Sequence, residues 1–291
     1  MALRLAYSPC PNDTYIFHAW VSGLLDGAPA VEETLADIDR LNSLALSGEV
    51  DVAKVSFNAL LHLRDRYSLL HAGGALGRGV GPLIVARKDS SLRPASSPDR
   101  SAALADEVSR VRVAIPGQLT TAALLLSLFI EGTGRTVVMP FDRIMPAVVA
   151  GEVEAGVIIH EGRFTFAGYG LRRLIDLGEW WEQTTGLPIP LGGIVVRRAL
   201  GREVASAVEK AIRSSVERAN RHPEETSAYV SSHAQEMDQK VCAEHIALYV
   251  NEFTLDYGEE GGAAIRELLS RADRTSPGRS VPSGKLFWDE E

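Results

Sequence analysis

The chain has 291 residues, 45% of them hydrophobic and 23% charged, with a net charge of −8 at pH 7, a length that accommodates two cores because single cores stop growing near ~250–300 residues. The acidic balance and the absence of any basic run longer than two residues exclude a polyanion-binding surface, and with it nucleic acid as a partner. Cys10 and Cys242 are too few for a disulfide framework or a cysteine-rich metal site, and neither a signal-like apolar run before Pro9 nor a stretch of ~20 apolar residues occurs, so no membrane span and a cytoplasmic location are expected.

Short apolar runs alternate with stretches of helical periodicity, the mark of βαβ units. Leu3–Tyr7 reads as a first strand, and a helix beginning near Thr14 carries Ile16, Phe17, Trp20, Val21 and Leu24 on one face, with Asn12 or Asp13 placed to cap it. A helix over Arg40–Ser47 leads to a strand at Val50–Ser56. Leu69–Ala72 and Pro82–Arg87 follow as strands. Residues 89–110, rich in Ser, Pro and charge, read as a loop or linker. A second set then begins: a strand at Val111–Ile115, a helix from Thr120, a strand at Thr136–Pro140, a helix through Pro146–Ala150 and a strand at Ala155–His160. Leu171–Leu177 is a further strand and Gly178–Thr185 a short helix. Ile194–Arg197 returns as a strand, followed by helical spacing over Ala205–Asn220, Pro223–His233, Gln239–Asn251 and Glu259–Ala272. The tail from Thr275 is expected to dock loosely.

The chain also repeats itself. Residues 39–57, DRLNSLALSGEVDVAKVSF, align without gaps on 142–160, DRIMPAVVAGEVEAGVIIH, at a constant offset of 103 residues. Asp39, Arg40, Gly48, Glu49 and Val50 recur as Asp142, Arg143, Gly151, Glu152 and Val153. The apolar run, proline loop and helix-like segment from Leu5 recur more faintly from Val113. Five identities are compatible with chance between two ordinary α/β units, but two lobes on one plan is the favoured reading. The expected organisation is a first lobe of residues 1–88 with 194–291 and an inserted second lobe of residues 89–193. The crossings fall near 84–92 and 188–195. Two crossings make a hinge, and a hinge makes an interlobe cleft.

In open α/β sheets, ligands bind beyond the carboxyl ends of strands, where loops enter helices. Four exits qualify: Ser8 to Asp13, including Asn12; Lys54-Val55-Ser56; Gly117 to Thr121; and His160-Glu161. Thr120 and Thr121 open a helix whose positive end suits an anion, although Thr120 alone also reads as an N-cap. Lys54 and Ser56 point the same way from their strand, as a binding pair or as a solvated strand end. His160 leaves an apolar strand and suits a general base, its ordinary pKa near ~6.5 leaving it able to accept a proton; a structurally satisfied histidine is the other reading. Glu161 either orients that ring or faces water.

Other motifs fail. Gly77-Arg78-Gly79-Val80-Gly81 lacks the strand-to-helix context of a dinucleotide fingerprint. No Walker A, HExxH or GxSxG sequence occurs, and Cys242-Ala243-Glu244-His245 has no companion ligands; no metal is expected. His18, His62, His71, His222 and His233 are scattered and read as structural.

SPCPNDTYIFHA at Ser8–Ala19, KVS at Lys54–Ser56, GGALGRGVGPL at Gly73–Leu83, PGQLTTA at Pro116–Ala122, GEVEAGVIIHEGRFT at Gly151–Thr165 and GLPIPLGG at Gly186–Gly193 together resemble the 1,4-dihydroxy-6-naphthoate synthases of the futalosine route to menaquinone. The match runs over about residues 2–272. Only the stretch near 89–110 looks longer than the family needs. The resemblance implies a two-lobed α/β fold of the periplasmic-binding-protein type 2 kind, one lobe inserted in the other, with mixed, mainly parallel sheets. It implies a cofactor-independent lyase that splits cyclic dehypoxanthinyl futalosine, a small carboxylate-bearing substrate, into 1,4-dihydroxy-6-naphthoate and dihydroxyacetone. By motif position it puts the proton acceptor on His160 and substrate contacts on Lys54, Val55, Ser56, Thr120 and Thr121, with Ser8 and Asn12 beside them. Two other readings fit a cleft with an anion site: a solute-binding protein for a small carboxylate, and a chorismate dehydratase of the same fold. The exposed faces of the C-terminal helices leave a homodimer open.

Overall fold

The computed structural model describes residues 2–234, 238–275 and 285–290. The chain forms two compact units, one of Met1–Gly77, Pro190–Ile265 and Ser280–Glu291, the other of Arg78–Ile189 and Arg266–Arg279. In chain order the first carries β1 (Leu3–Tyr7), α1 (Pro11–Val21), β2 (Val31–Leu35), α2 (Ile38–Ser47), β3 (Val52–Ser56), α3 (Phe57–Leu60), β4 (Tyr67–Leu69) and β5 (Ala75–Gly77). The second carries β6 (Leu83–Arg87), α4 (Pro98–Arg110), β7 (Arg112–Ile115), α5 (Thr121–Phe129), β8 (Arg135–Val138), α6 (Phe141–Ala150), β9 (Ala155–Ile158), α7 (Gly162–Thr165), β10 (Leu171–Asp176) and α8 (Leu177–Thr185). Strand β11 (Ile189–Arg197) leads back to the first unit and to α9 (Gly201–Arg221), α10 (Pro223–His233), α11 (Gln239–Tyr249) and α12 (Glu252–Leu255), and α13 (Gly258–Thr275) ends the helical part.

The two sheets share one topology. The first runs β2-β1-β3-β11-β4, with β5 also on β11; the second, written from its other edge, runs β8-β7-β9-β6-β10. In each the first three strands pair in parallel and the last two antiparallel. The sequence repeat is therefore a structural one: α2 and β3 correspond to α6 and β9. Both helices end on a left-handed glycine, Gly48 with φ 76° and Gly151 with φ 74°, a conformation glycine adopts without a Cβ clash. A second correspondence lies at the strand starts. Arg4 on β1 grips Asp51 through its backbone N–H at 3.0 Å and its guanidinium at 3.2 and 3.1 Å. Arg112 on β7 grips Glu154 in the same way, at 2.9, 3.3 and 3.1 Å.

Several elements depart from the sequence expectation for identifiable reasons. Residues 89–110 are not all loop: Ser97 and Pro98 are a helix start, the Ser97 hydroxyl accepting from Arg100 N–H at 3.2 Å with Pro98 in the first turn of α4. Proline is at home there because that N–H has no helical partner. Helix α1 begins at Pro11, earlier than expected, so Asn12 and Asp13 lie within its first turn rather than capping it. Strand β2, VEETL, went unpredicted because as an edge strand it buries little and shows no alternation. Strand β6, expected to close the first lobe, is an inner strand of the second sheet, between β9 and β10.

The first core gathers Leu5, Phe17, Trp20, Ile194, Ile212 and Val216, where α1 and α9 pack on the sheet. The second gathers Val85, Ala114, Ile144 and Val148. Of the tail, residues 276–284 lie outside the described part. Residues 285–290 hold tightly to the first unit: Phe287 bridges Leu69 and stacks on His71 at 4.2 Å, and the Trp288 indole N–H donates to Glu209 at 2.6 Å. Among the described residues no helix is long and apolar enough to cross a membrane.

Candidate functional site

In the first unit Ser8, Asn12 and Lys54 converge on one carboxylate, that of Asp13. Strand β1 ends at Tyr7, the proline-containing turn at Ser8–Pro11 reverses the chain into α1, and this sets Asp13 beneath the carboxyl end of the sheet. Asp13 Oδ2 accepts from the Ser8 hydroxyl at 2.7 Å and from Ser8 N–H at 3.3 Å; Oδ1 accepts from Asn12 Nδ2 at 2.9 Å and from Lys54 Nζ at 2.6 Å. Lys54 also lies 3.4 Å from the Gly73 carbonyl. This lysine is no solvated strand end, being buried together with Asp13. A buried ammonium requires such a partner. The His245 ring, on α11, meets the Asn12 side-chain oxygen at 3.0 Å, which adds a residue the sequence gave no reason to place here.

Ser56 shares the Lys54 face of β3 but goes to a different partner. Its N–H donates to Asn42 Oδ1 at 2.9 Å, and its hydroxyl accepts from Asn42 Nδ2 at 3.2 Å, a two-point clasp between β3 and α2. Val55 is buried on the opposite side of the strand, in register with Gly193 of β11. Gly192 pairs with Ser56, and a Cβ there would come within 3.3 Å of Lys54 Cε and 3.0 Å of the Val55 carbonyl. The glycine pair in GLPIPLGG is thus a packing requirement of this corner.

In the second unit, Thr120 caps α5: its hydroxyl accepts from Ala123 N–H at 3.2 Å and donates to the Gly117 carbonyl at 2.8 Å. The capping reading of Thr120 is realised. Thr121 is the first helical residue, and both threonines are buried. The apolar helix behind them, TAALLLSLF, aims its positive end at this loop.

His160 follows β9 in a turn and is half-buried. Its ring meets Phe141, the first residue of α6, edge to face at a centroid distance of 5.2 Å. Its backbone is left-handed, φ 54°, one of two such non-glycine residues among those described. Arg163, three residues on, donates to the Gly81 carbonyl at 2.6 Å and to Asp176 at 2.7 Å. Asp13, Asn42, His245, Arg163 and Asp176 were not among the expected site residues. The one signal available for Asp13 was its place beside Asn12 in a strand-exit loop, where it read as a cap. No group of three or more His, Cys, Asp or Glu side chains placed to hold a metal ion occurs among the described residues.

Comparison with known proteins gives the family. The family model described as "Menaquinone biosynthesis" matches residues 3–274. A protein of Streptomyces coelicolor named "1,4-dihydroxy-6-naphtoate synthase" is 50% identical over 276 residues, 93% of this chain and 92% of its own. A Thermus thermophilus protein of the same name is 47% identical over 282 residues, 97% of each chain. Among solved structures, protein AF1704 of Archaeoglobus fulgidus aligns with a TM-score of 0.83 at 36% identity, covering 94% of this chain and 97% of its own. The periplasmic aliphatic sulphonate binding protein SsuA of Escherichia coli aligns with a TM-score of 0.66 at 13% identity over 100% of this chain and 92% of its own. That last likeness shows the fold, a periplasmic-binding-protein type.

Proposed function

The chain belongs to the menaquinone-biosynthesis family, and on that premise we propose that it is a 1,4-dihydroxy-6-naphthoate synthase, a carbon–carbon lyase acting on cyclic dehypoxanthinyl futalosine. The observation that carries this reading is the 50% and 47% identity, over nearly the whole chain, to two proteins that bear that name.

His160 takes a proton from the substrate. That proton comes from a hydroxyl, whose oxygen keeps the electron pair and forms a ring carbonyl as the carbon–carbon bond to the three-carbon fragment breaks. The pair of that bond leaves with the fragment as an enolate, which takes the proton back from His160, and the ring ketone enolises to the aromatic diol. The fragment leaves as dihydroxyacetone. A histidine suits the first step because its neutral form accepts a proton at physiological pH. The α5 N-terminus, with Thr120 and Thr121, is suited to the substrate carboxylate, since helix ends attract anions. Lys54, oriented by its bond to Asp13, offers a remaining N–H to the substrate's oxygens, with Ser8, Asn12, Val55 and Ser56 beside it. The mechanism calls on no cofactor, and the cytoplasm is the location proposed for the protein.

Incubating purified protein with cyclic dehypoxanthinyl futalosine and following the naphthoate by mass spectrometry tests the reading. Formation of 1,4-dihydroxy-6-naphthoate with release of dihydroxyacetone is expected. Tight binding of the intact compound without product would favour a carboxylate-binding protein instead, and dehydration of chorismate would favour the dehydratase.

A further inference from the structure

The turn that carries His160 is short and leads directly into α7. Backbone hydrogen bonds close it from Gly162 N–H to the Ile159 carbonyl at 3.2 Å, from Arg163 N–H to the His160 carbonyl at 3.3 Å and from Phe164 N–H to the Glu161 carbonyl at 2.9 Å. His160 itself sits at φ 54°, a left-handed conformation that persists only where surrounding structure enforces it. Phe141 packs on the ring from one side, and Arg163, three residues on, anchors the turn itself. One guanidinium nitrogen donates to the Gly81 carbonyl at 2.6 Å, the other to Asp176 Oδ2 at 2.7 Å.

Both acceptors belong to a rigid block. The second oxygen of Asp176 accepts from Gly178 N–H at 2.8 Å and Glu179 N–H at 3.2 Å, so the same carboxylate caps α8 and holds Arg163. Gly81 packs so closely on α8 that a Cβ there would lie 2.2 Å from Gly178 N. Gly81, the last glycine of the GRGVG segment, is accounted for by this contact, and Gly79 by its left-handed φ of 68°. Exposed ion pairs hold geometry poorly, but here the carboxylate is 0% and the guanidinium 16% exposed. A planar guanidinium with two directed donors on such acceptors fixes orientation as well as distance.

We propose that Arg163 is the positioning residue for His160: it ties the left-handed turn to the Gly81 loop and to Asp176, and so fixes where the imidazole points. This inference rests on the reading of His160 as the proton acceptor. Lysine at 163 would keep the charge but not both directed bonds, and methionine would keep only the bulk of the stem.

The test compares Arg163→Met, Arg163→Lys, His160→Gln and the double variant Arg163→Met/His160→Gln, with cyclic dehypoxanthinyl futalosine as substrate. Arg163→Met is expected to lower kcat about 10- to 100-fold, as misplacement of a reacting group does, with KM changed less than about threefold; Arg163→Lys should recover part of the loss. Once His160 is replaced, removing Arg163 should cost nothing more in kcat, because residues acting as a unit are not additive. Independently of turnover, the His160 ring resonance, identified by its loss in His160→Gln, should shift or broaden in both Arg163 variants while those of the other histidines hold. A full, undiminished further loss in the double variant, or an unmoved His160 resonance, would overturn the inference, and Arg163→Lys decides if Arg163→Met does not fold. Normal turnover by His160→Gln would instead remove His160 as the proton acceptor, leaving the ring resonance to report whether Arg163 holds the turn.

Discussion

Lys54 Nζ lies 2.6 Å from Asp13 Oδ1, with both side chains buried. Removing one partner strands the other charge in the interior, whereas removing both leaves only a change of shape. Lys54→Met and Asp13→Asn are each expected to destabilise the protein by about 3–5 kcal/mol. The double variant should lose clearly less than the sum, a coupling that urea unfolding of the four proteins measures. Strict additivity would show that the pair does not interact in solution.

Thr120 and Thr121 separate stability from binding. Thr120→Ala deletes the N-cap of α5 and should cost about 0.5–2 kcal/mol. Thr121→Ala leaves the cap bonds of Thr120 intact, so it should weaken substrate binding without the loss of the helix cap. Calorimetric titration against the inactive His160→Gln protein reads the affinity. Wild-type affinity in the Thr121 variant would remove the helix end from the substrate site.

His160 should behave as a residue held for function at some expense to stability. His160→Gln is expected to lower turnover by roughly 10²–10⁴-fold. His160→Gly should be as inactive yet no less resistant to denaturant, because glycine adopts a φ of 54° without the penalty other residues incur. Marked destabilisation of the glycine variant would mean that the ring matters mainly for packing against Phe141.

What the sequence disclosed, and what it hid, follows from the range of the interactions involved. The α2–β3 and α6–β9 correspondence was legible because a tight helix-to-strand passage demands a left-handed glycine and local apolar spacing, features written within nineteen consecutive residues. Helix α4 was misread because Ser97 and Pro98 are turn residues as well as helix starters, and only two of its side chains, Leu104 and Val108, are buried. Asp13 stayed hidden because its meaning depends on Lys54, 41 residues away. Arg163 stayed hidden for the same reason, its acceptors standing 82 and 13 residues off. Asp13 lies in, and Arg163 just beyond, segments that strand-exit reasoning singled out, but long-range charge pairing there has no local signature.

The paired carboxylates at the strand starts carry a pH signature. Burial acts to raise the Asp51 carboxyl, but the hydrogen bonds from the Arg4 guanidinium and backbone, with the charges of Arg4 and Arg197, hold it below the ordinary aspartate range. At Glu154 the hydrogen bond from Arg112 leads and burial opposes it, again leaving the group lowered. A carboxyl whose folded pKa is depressed contributes stability that is present above its unfolded value, near ~4, and lost as pH falls through the folded value. Asp51→Asn should therefore cost about 1–3 kcal/mol at neutral pH and progressively less as the pH is lowered below ~4, where the wild-type carboxyl is itself protonated. Glu154→Gln should show the same trend more weakly, its carboxylate being 43% exposed against 15% for Asp51 and correspondingly screened. Urea unfolding of the three proteins at a series of pH values measures these differences. An acid limb of equal slope in wild type and Asp51→Asn would show that the Arg4–Asp51 grip does not contribute to the acid sensitivity of the fold.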